Sequence, residues 1–495
     1  MDNDRNTPGT NCTGNVYANN SNVCSPTTMI TTQRFLNDIG TRIRRDGGKC
    51  FQDATFATTI RPLHKTDRIV NMSIPANDPN LSSWISVPAN SDFPIQNIPF
   101  GIGSFNSDRR APMTRLGDHV VDLSILFEAG LLNDLGLSVG AFDTPSLNAL
   151  LRLGKPTMRN LRQRLSELFR EDNSKLRDDS DLREAAVLPV DQVTMYLPVE
   201  IGDYTDFFSS KEHATNTGTM FRDPANALLP NWLHIPVAYH GRSSSIIPSG
   251  TPIRRPMGQT RPDPNAPPVF GASKLLDFEL EMGFITFDGQ PLGERIGIED
   301  AEDHIFGLVL FNDWSARDIQ AWEYVPLGPF LSKNFASSMS AWIVTLDALE
   351  PFRVEGPAQD PAPLPYLQFK GQRSFDIALE MAIQPKGGKP STVCKSNFKY
   401  MYWNMAQQLA HHTVNGCNIR CGDLLASGTI SGPTPDSYGS MLELSWRGTK
   451  PLTLADGSER KFIQDGDTVI QRGHCEKNGV RIGFGSVETK VLPAN

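Results

Sequence analysis

The sequence has no long apolar run. Its longest, Ile305 to Phe311, is seven residues, against the roughly 20 that a helix needs to cross a bilayer, so no membrane span is predicted. It has no cationic surplus either: 47 Lys and Arg stand against 55 Asp and Glu, a formal net charge of −8, with no basic stripe. A nucleic-acid partner is therefore not expected, because phosphate binding draws on clustered cations. Cysteine is sparse and unpatterned. The seven cysteines, at 12, 24, 50, 394, 417, 421 and 475, are an odd number without a C-x-x-C pair. That argues against a zinc or disulfide framework and fits reduced thiols in the cytoplasm. No internal repeat of fixed period is evident.

What is present points to a soluble, turn-rich enzyme-sized chain. The 495 residues are 39% hydrophobic and 21% charged, with 40 Gly and 37 Pro, which suggests about three structural units and a β-rich architecture. Residues 1–28 contain no Leu, Ile, Phe or Trp but seven Asn, too little apolar surface to offset ordering entropy. Nothing there resembles a secretory signal. Phe35, Leu36, Ile39 and Ile43 fall at helical spacing beside arginines, faintly like an organelle presequence. Further on, Val120 to Leu126 reads as a strand. Leu161, Leu165 and Leu168 predict a helix from Pro156 onward, with its arginines on a solvated face. After residue 200, short apolar alternations broken by Gly, Pro, Ser and Asn predict a sheet-rich domain, the place to look for chemistry. A second helix is expected over Phe398 to His412, with its aromatics in the core and His411 and His412 structural.

Three acidic segments stand out. In Leu276-Asp-Phe-Glu-Leu-Glu-Met, a strand would put Glu279 and Glu281 on one face, about 6.6 to 7 Å apart. Two carboxylates so placed repel unless a cation lies between them, and hard cations take carboxylate oxygens. On these residues alone a solvated polar face fits better. Asp313 follows the apolar run Ile305 to Phe311, where a strand would end, although the sequence around it reads more simply as a helix N-cap. Asp206 and His213 share one segment bounded by turn formers, so a carboxylate and an imidazole can meet there.

These segments belong to a longer ordered series. Asp203-Tyr-Thr-Asp-Phe, His213-Ala-Thr-Asn, Asn231-Trp-Leu-His, Tyr239-His-Gly-Arg-Ser-Ser, Asn312-Asp-Trp-Ser-Ala-Arg-Asp-Ile-Gln320 and Gly439-Ser-Met-Leu-Glu-Leu-Ser-Trp446 resemble the fumarylacetoacetate hydrolase family. The resemblance runs from about Ser82 to Pro493. It implies a mainly β fold: a small SH3-like N-terminal barrel over 81–198 and a larger mixed β-sandwich roll over 199–495; residues 1–80 fall outside the resemblance and are expected to be a disordered or weakly structured extension. It further implies a cytoplasmic homodimer that converts 4-fumarylacetoacetate and water to fumarate and acetoacetate, the last step of phenylalanine and tyrosine breakdown.

By the same resemblance Asp206, Glu279, Glu281 and Asp313 would be metal carboxylates, with Lys333 and Ser337 in the metal region. An all-acid set suits Ca2+ or Mg2+ rather than a soft ion. His213 would be the general base, oriented by Glu443, and Arg317, Gln320 and Lys333 would stabilise the oxyanion. Phe208, Arg222, Tyr239, Gln320, Tyr324 and Thr429 match substrate-contacting positions. Phe208 departs from the family, which usually has tyrosine there, and Ser337 replaces a usual threonine. Two other functions remain open: an acylpyruvate hydrolase or decarboxylase of the same superfamily, and a non-catalytic paralogue that binds or scaffolds.

Overall fold

The structure, a computed structural model, describes residues 74–106 and 109–495. The readings made above for residues 1–28 and 35–43 lie outside them. The fold is mainly β, with a smaller sheet toward the N-terminus and a larger two-sheet body after it. The smaller sheet is antiparallel and five-stranded, in the order Val187–Pro189, His119–Asp122, Ala111–Leu116, Phe100–Phe105, Val193–Tyr196. The run expected as one strand over Val120 to Leu126 divides at Asp122. Its carboxylate accepts from the N–H groups of Ser124 (2.9 Å) and Ile125 (3.4 Å), opening a helix over Leu123–Glu128.

The leucine-patterned helix spans Gly154–Phe169 and buries Leu161, Leu165 and Leu168. Its arginine face is not wholly solvated, which corrects the expectation from the pattern. Arg162 is 1% exposed and donates to Asn97 O (3.2 Å), Asn77 Oδ1 (2.7 Å) and Gln96 O (2.5 Å). The guanidinium takes up carbonyls that the sheet's entry segment leaves without backbone partners. Arg162→Met is expected to cost about 2–4 kcal/mol of stability, since it strands those acceptors in the core. Urea unfolding checks this. A loss below about 0.5 kcal/mol, the surface-site value, would contradict it.

The larger body stacks a mixed eight-stranded sheet on a five-stranded one. The first runs Ala238–His240, Tyr204–Phe207, Leu424–Ala426, Leu280–Thr286, Ile305–Asp313, Ser337–Met339, Ile246–Pro248, with Val344–Thr345 also on Ile305–Asp313. The second runs Ser391–Asn397, Ala378–Gln384, Thr468–Lys477, Val480–Leu492, Ile253–Arg254. Leu308 and Leu310 from one sheet and Leu379, Phe484 and Val487 from the other share one buried cluster. With apolar layers against both faces, the central strands Leu280–Thr286 and Ile305–Asp313 are buried at every residue.

The helix expected over Phe398 to His412 is broken. A 3-10 turn covers Phe398–Tyr400 and the α-helix begins only at Met405, where Asn404 and Gln407 form a reciprocal capping box. Phe398, Tyr402 and Trp403 are core residues, as their spacing suggests. His411 and His412 are structural: His411 Nδ1 meets Tyr366 OH and His412 Nε2 meets Thr205 Oγ1, each at 3.0 Å.

Candidate active site

Three strands of the eight-stranded sheet and the chain entering one of them bring four acids together. Asp206 lies on Tyr204–Phe207, Glu281 on Leu280–Thr286 with Glu279 just before it, and Asp313 is the last residue of Ile305–Asp313. One oxygen from each lies within 4.8 Å of the others, and all four residues are buried. Thus the Glu279–Glu281 pair faces neighbouring acids rather than water, and its oxygens converge more closely than the strand repeat alone suggests. The helix-cap reading of Asp313 also fails, because the helix Arg317–Glu323 has Ala316 at its N-cap.

Compensation within the cluster is uneven. Lys333 Nζ lies 2.6 Å from Glu279 and 2.9 Å from Asp313. Asp313 also accepts from Ser337 Oγ (2.7 Å) and Tyr239 OH (2.8 Å), and Glu281 from the Gly428 N–H (3.0 Å). Asp206 Oδ1 and Glu281 Oε1 are buried with no hydrogen-bond partner. Burial and then the neighbouring Asp313 hold the Asp206 carboxyl well above the usual range. Burial and then Asp206 do the same for Glu281. Glu279 differs: burial opposes its charge, but Lys333 and Arg317 outweigh that and hold it well below. An all-oxygen donor set with two orphaned carboxylate oxygens fits a hard divalent cation.

Beside the acids is an imidazole. His213 sits in the first turn of the helix Lys211–Phe221, whose N-cap Ser210 accepts from the His213 N–H at 3.2 Å. Its Nδ1 lies 2.6 Å from Glu443 Oε2. A carboxylate only accepts, so Nδ1 carries a proton, and in the neutral form of the ring Nε2 is the acceptor. Glu443 also accepts from Asn216 Nδ2 (2.9 Å), Ser440 Oγ (2.8 Å) and Ser431 Oγ (2.9 Å). Burial pushes the Glu443 carboxyl up, but His213 and these donors outweigh it and keep it below its ordinary value. Asn216, Ser431 and Ser440 were not foreseen. The S-x-x-E spacing of Ser440 and Glu443, a helix-start signature, was the available signal for one of them.

Arg317 closes another side. Its Nε donates to Asp277 Oδ2 (2.8 Å) and its Nη1 to Gln320 Oε1 (3.2 Å). Its Nη2 lies 2.7 Å from Glu279 Oε1 but is not aligned as a hydrogen bond there, which leaves an N–H free for another acceptor. Thr429 Oγ1 is likewise buried and unpartnered. Phe208 stands edge-on to His213, with ring centroids 5.2 Å apart. Arg222 and Tyr324 are not joined to this cluster: Arg222 donates to Ala227 O, and Tyr324 is exposed.

A buried all-carboxylate cradle that can hold a metal ion, next to a carboxylate-held imidazole on a mixed β sandwich, makes this an enzyme site. The chain belongs to the fumarylacetoacetate hydrolase family. The family's C-terminal domain, described as "Fumarylacetoacetate (FAA) hydrolase C-terminal", matches residues 204–492, and "Fumarylacetoacetase N-terminal" matches 96–198. Fumarylacetoacetase of Homo sapiens is 56% identical over 414 residues, covering 83% of this chain and 99% of that protein. The Dictyostelium discoideum enzyme is 54% identical over 422 residues and the Arabidopsis thaliana enzyme 52% over 418, each covering 84% of this chain and 99% of its own length.

Proposed function

We propose that this chain hydrolyses 4-fumarylacetoacetate to fumarate and acetoacetate, as the names of its relatives indicate for them. The observation that carries the reading is the His213–Glu443 pair set beside the four-acid cluster. His213 Nε2 takes a proton from water, whose oxygen adds to the carbonyl next to the alkene. Glu443 keeps the tautomer and balances the imidazolium charge. Arg317, Gln320 and Lys333 border the place where the oxyanion forms. When the tetrahedral carbon collapses, the C–C bond breaks and the departing methylene carbon takes the proton back from His213, becoming the methyl group of acetoacetate. Asp206, Glu279, Glu281 and Asp313 would hold Ca2+ or Mg2+, within reach of Lys333 and Ser337. Bound there, the ion supplies Lewis-acid charge for the diketone oxygens. Tyr239 and Thr429 offer hydroxyls, and Arg222 and Tyr324 would have to turn inward to meet the substrate's carboxylates.

The same reading places residues 1–80 as an extension, 81–198 as the N-terminal domain and 199–495 as the catalytic domain of a cytoplasmic homodimer. Free Cys394, Cys417, Cys421 and Cys475 agree with a reducing compartment. No helix among the described residues is long and apolar enough to cross a membrane. Leu327 is 95% and Phe330 67% exposed, apolar surface that suits a second copy; a monomeric mass by light scattering would contradict the dimer.

Product analysis tests the reaction. Fumarate and acetoacetate in equal amounts are expected, whereas turnover of an acylpyruvate alone would move the assignment to the related hydrolases, and binding without turnover to a silent paralogue. Phe208→Tyr restores a hydroxyl close to His213 and is expected to lower KM by about 2- to 10-fold, one net hydrogen bond, with kcat unchanged. Steady-state kinetics decide this, and an unaltered KM would remove Phe208 from the substrate surface.

A further inference from the structure

We infer that Asp277 is a positioning residue that ties the Arg317 guanidinium to the short helix carrying Glu443. The inference rests on the roles proposed above for Arg317 and the His213–Glu443 pair. Asp277 is fully buried and lies on Leu276–Asp277, paired with Ser315–Ala316 immediately before Arg317. Its Oδ1 accepts from the Met441 N–H at 2.6 Å. Its Oδ2 accepts from the Leu442 N–H at 3.0 Å and from Arg317 Nε at 2.8 Å. One carboxylate thereby holds the first turn of Met441–Leu444 and one edge of the guanidinium together.

Both holds have consequences. A helix of only four residues has little persistence of its own, so its place depends on what anchors it. Asn216 and Ser431 hold its Glu443 side chain, while its backbone N–H groups are held by Ser440, whose hydroxyl caps Glu443 N at 3.3 Å, and by Asp277. Glu443 is the next residue after Leu442, so a shift of that turn lengthens the 2.6 Å contact with His213. On the other side, the Nε edge of Arg317 is occupied by Asp277 and Nη1 by Gln320, which aims Nη2 toward the acids. Asp277 itself touches neither the imidazole nor the four-acid cluster. It sets the spacing between the proton-transfer pair and the oxyanion donor, the kind of precision on which rate depends more than binding does.

Asp277→Asn keeps the shape and removes the charge. The expected result is a fall of about 10- to 100-fold in kcat, the usual effect of removing a supporting partner, with KM little changed. The downfield Nδ1–H proton resonance of His213 should also move, a readout independent of turnover. Arg317→Gly should recover activity with added methylguanidinium but not with methylammonium, because only a planar N–H edge fits Asp277. The recovery should disappear in the Asp277→Asn background. Unchanged kcat and an unmoved His213 resonance in folded Asp277→Asn would overturn the inference. If that variant does not fold, equal rescue by both cations would overturn it. A wild type without turnover would count against the proposed reaction, while the His213 resonance still decides the role of Asp277.

Discussion

Alanine at position 213 is expected to lower kcat by about 10²- to 10⁴-fold, the range for removing a general base, with KM changed far less. The buried His213 makes a 2.6 Å bond to Glu443, and its Nε2 is left as the acceptor for a water proton. Glu443→Gln should reproduce much of the loss. An amide neither balances the imidazolium nor selects between tautomers, since it can donate to Nδ1 as readily as it accepts. Because His213 and the surrounding donors keep Glu443 below the ordinary carboxylate range, its charge persists across neutral pH and it contributes no activity limb there. Stopped-flow turnover of wild type and both variants checks the prediction. Wild-type kcat in His213→Ala would assign the base elsewhere.

Chelation is expected to abolish turnover and to lower the melting temperature. Four acids share a space in which one oxygen of each lies within 4.8 Å of the others, and Lys333 contacts only Glu279 and Asp313. Without a cation, burial and mutual repulsion raise Asp206 and Glu281 well above the usual range, so these acids take up protons more readily than ordinary carboxylates and an incoming ion competes with protons there. Ion uptake should therefore release protons and weaken as pH falls. At a free ion concentration one hundred times Kd, the bound cation contributes about 2.7 kcal/mol of stability. Asp206→Asn should remove most of that increment. Melting curves with and without Ca2+ or Mg2+, for wild type and Asp206→Asn, would contradict the account if the two proteins responded alike.

The order of segments and the chemistry of the site were legible from the sequence chiefly as resemblance. Residues alone reached less far, for identifiable reasons. Strand alternation is the same whether the outer face of Glu279 and Glu281 meets water or other acids. What decides is that Asp313 arrives on the adjoining strand Ile305–Asp313 and Asp206 on Tyr204–Phe207, one strand further across the sheet beyond Leu424–Ala426, which a local pattern does not encode. Arg162 failed for the same reason: its helix face is polar, but the carbonyls of Gln96 and Asn97 come to it from elsewhere. The break before Met405 was present as Asn404 and Gln407, but an apolar period running through it masked the cap. The role of Asp277 is not legible in the sequence although Asp277, Glu279 and Glu281 alternate together, because besides Arg317 its partners are the backbone N–H groups of Met441 and Leu442. Backbone donors have no sequence signature.

The most direct measurement follows the ultraviolet absorbance of 4-fumarylacetoacetate with purified wild type and His213→Ala, each with and without chelator. The account predicts loss of absorbance with wild type alone, stopped by chelator and restored by Ca2+ or Mg2+. Absorbance that persists with cation-loaded wild type, or falls equally fast with His213→Ala, would contradict it.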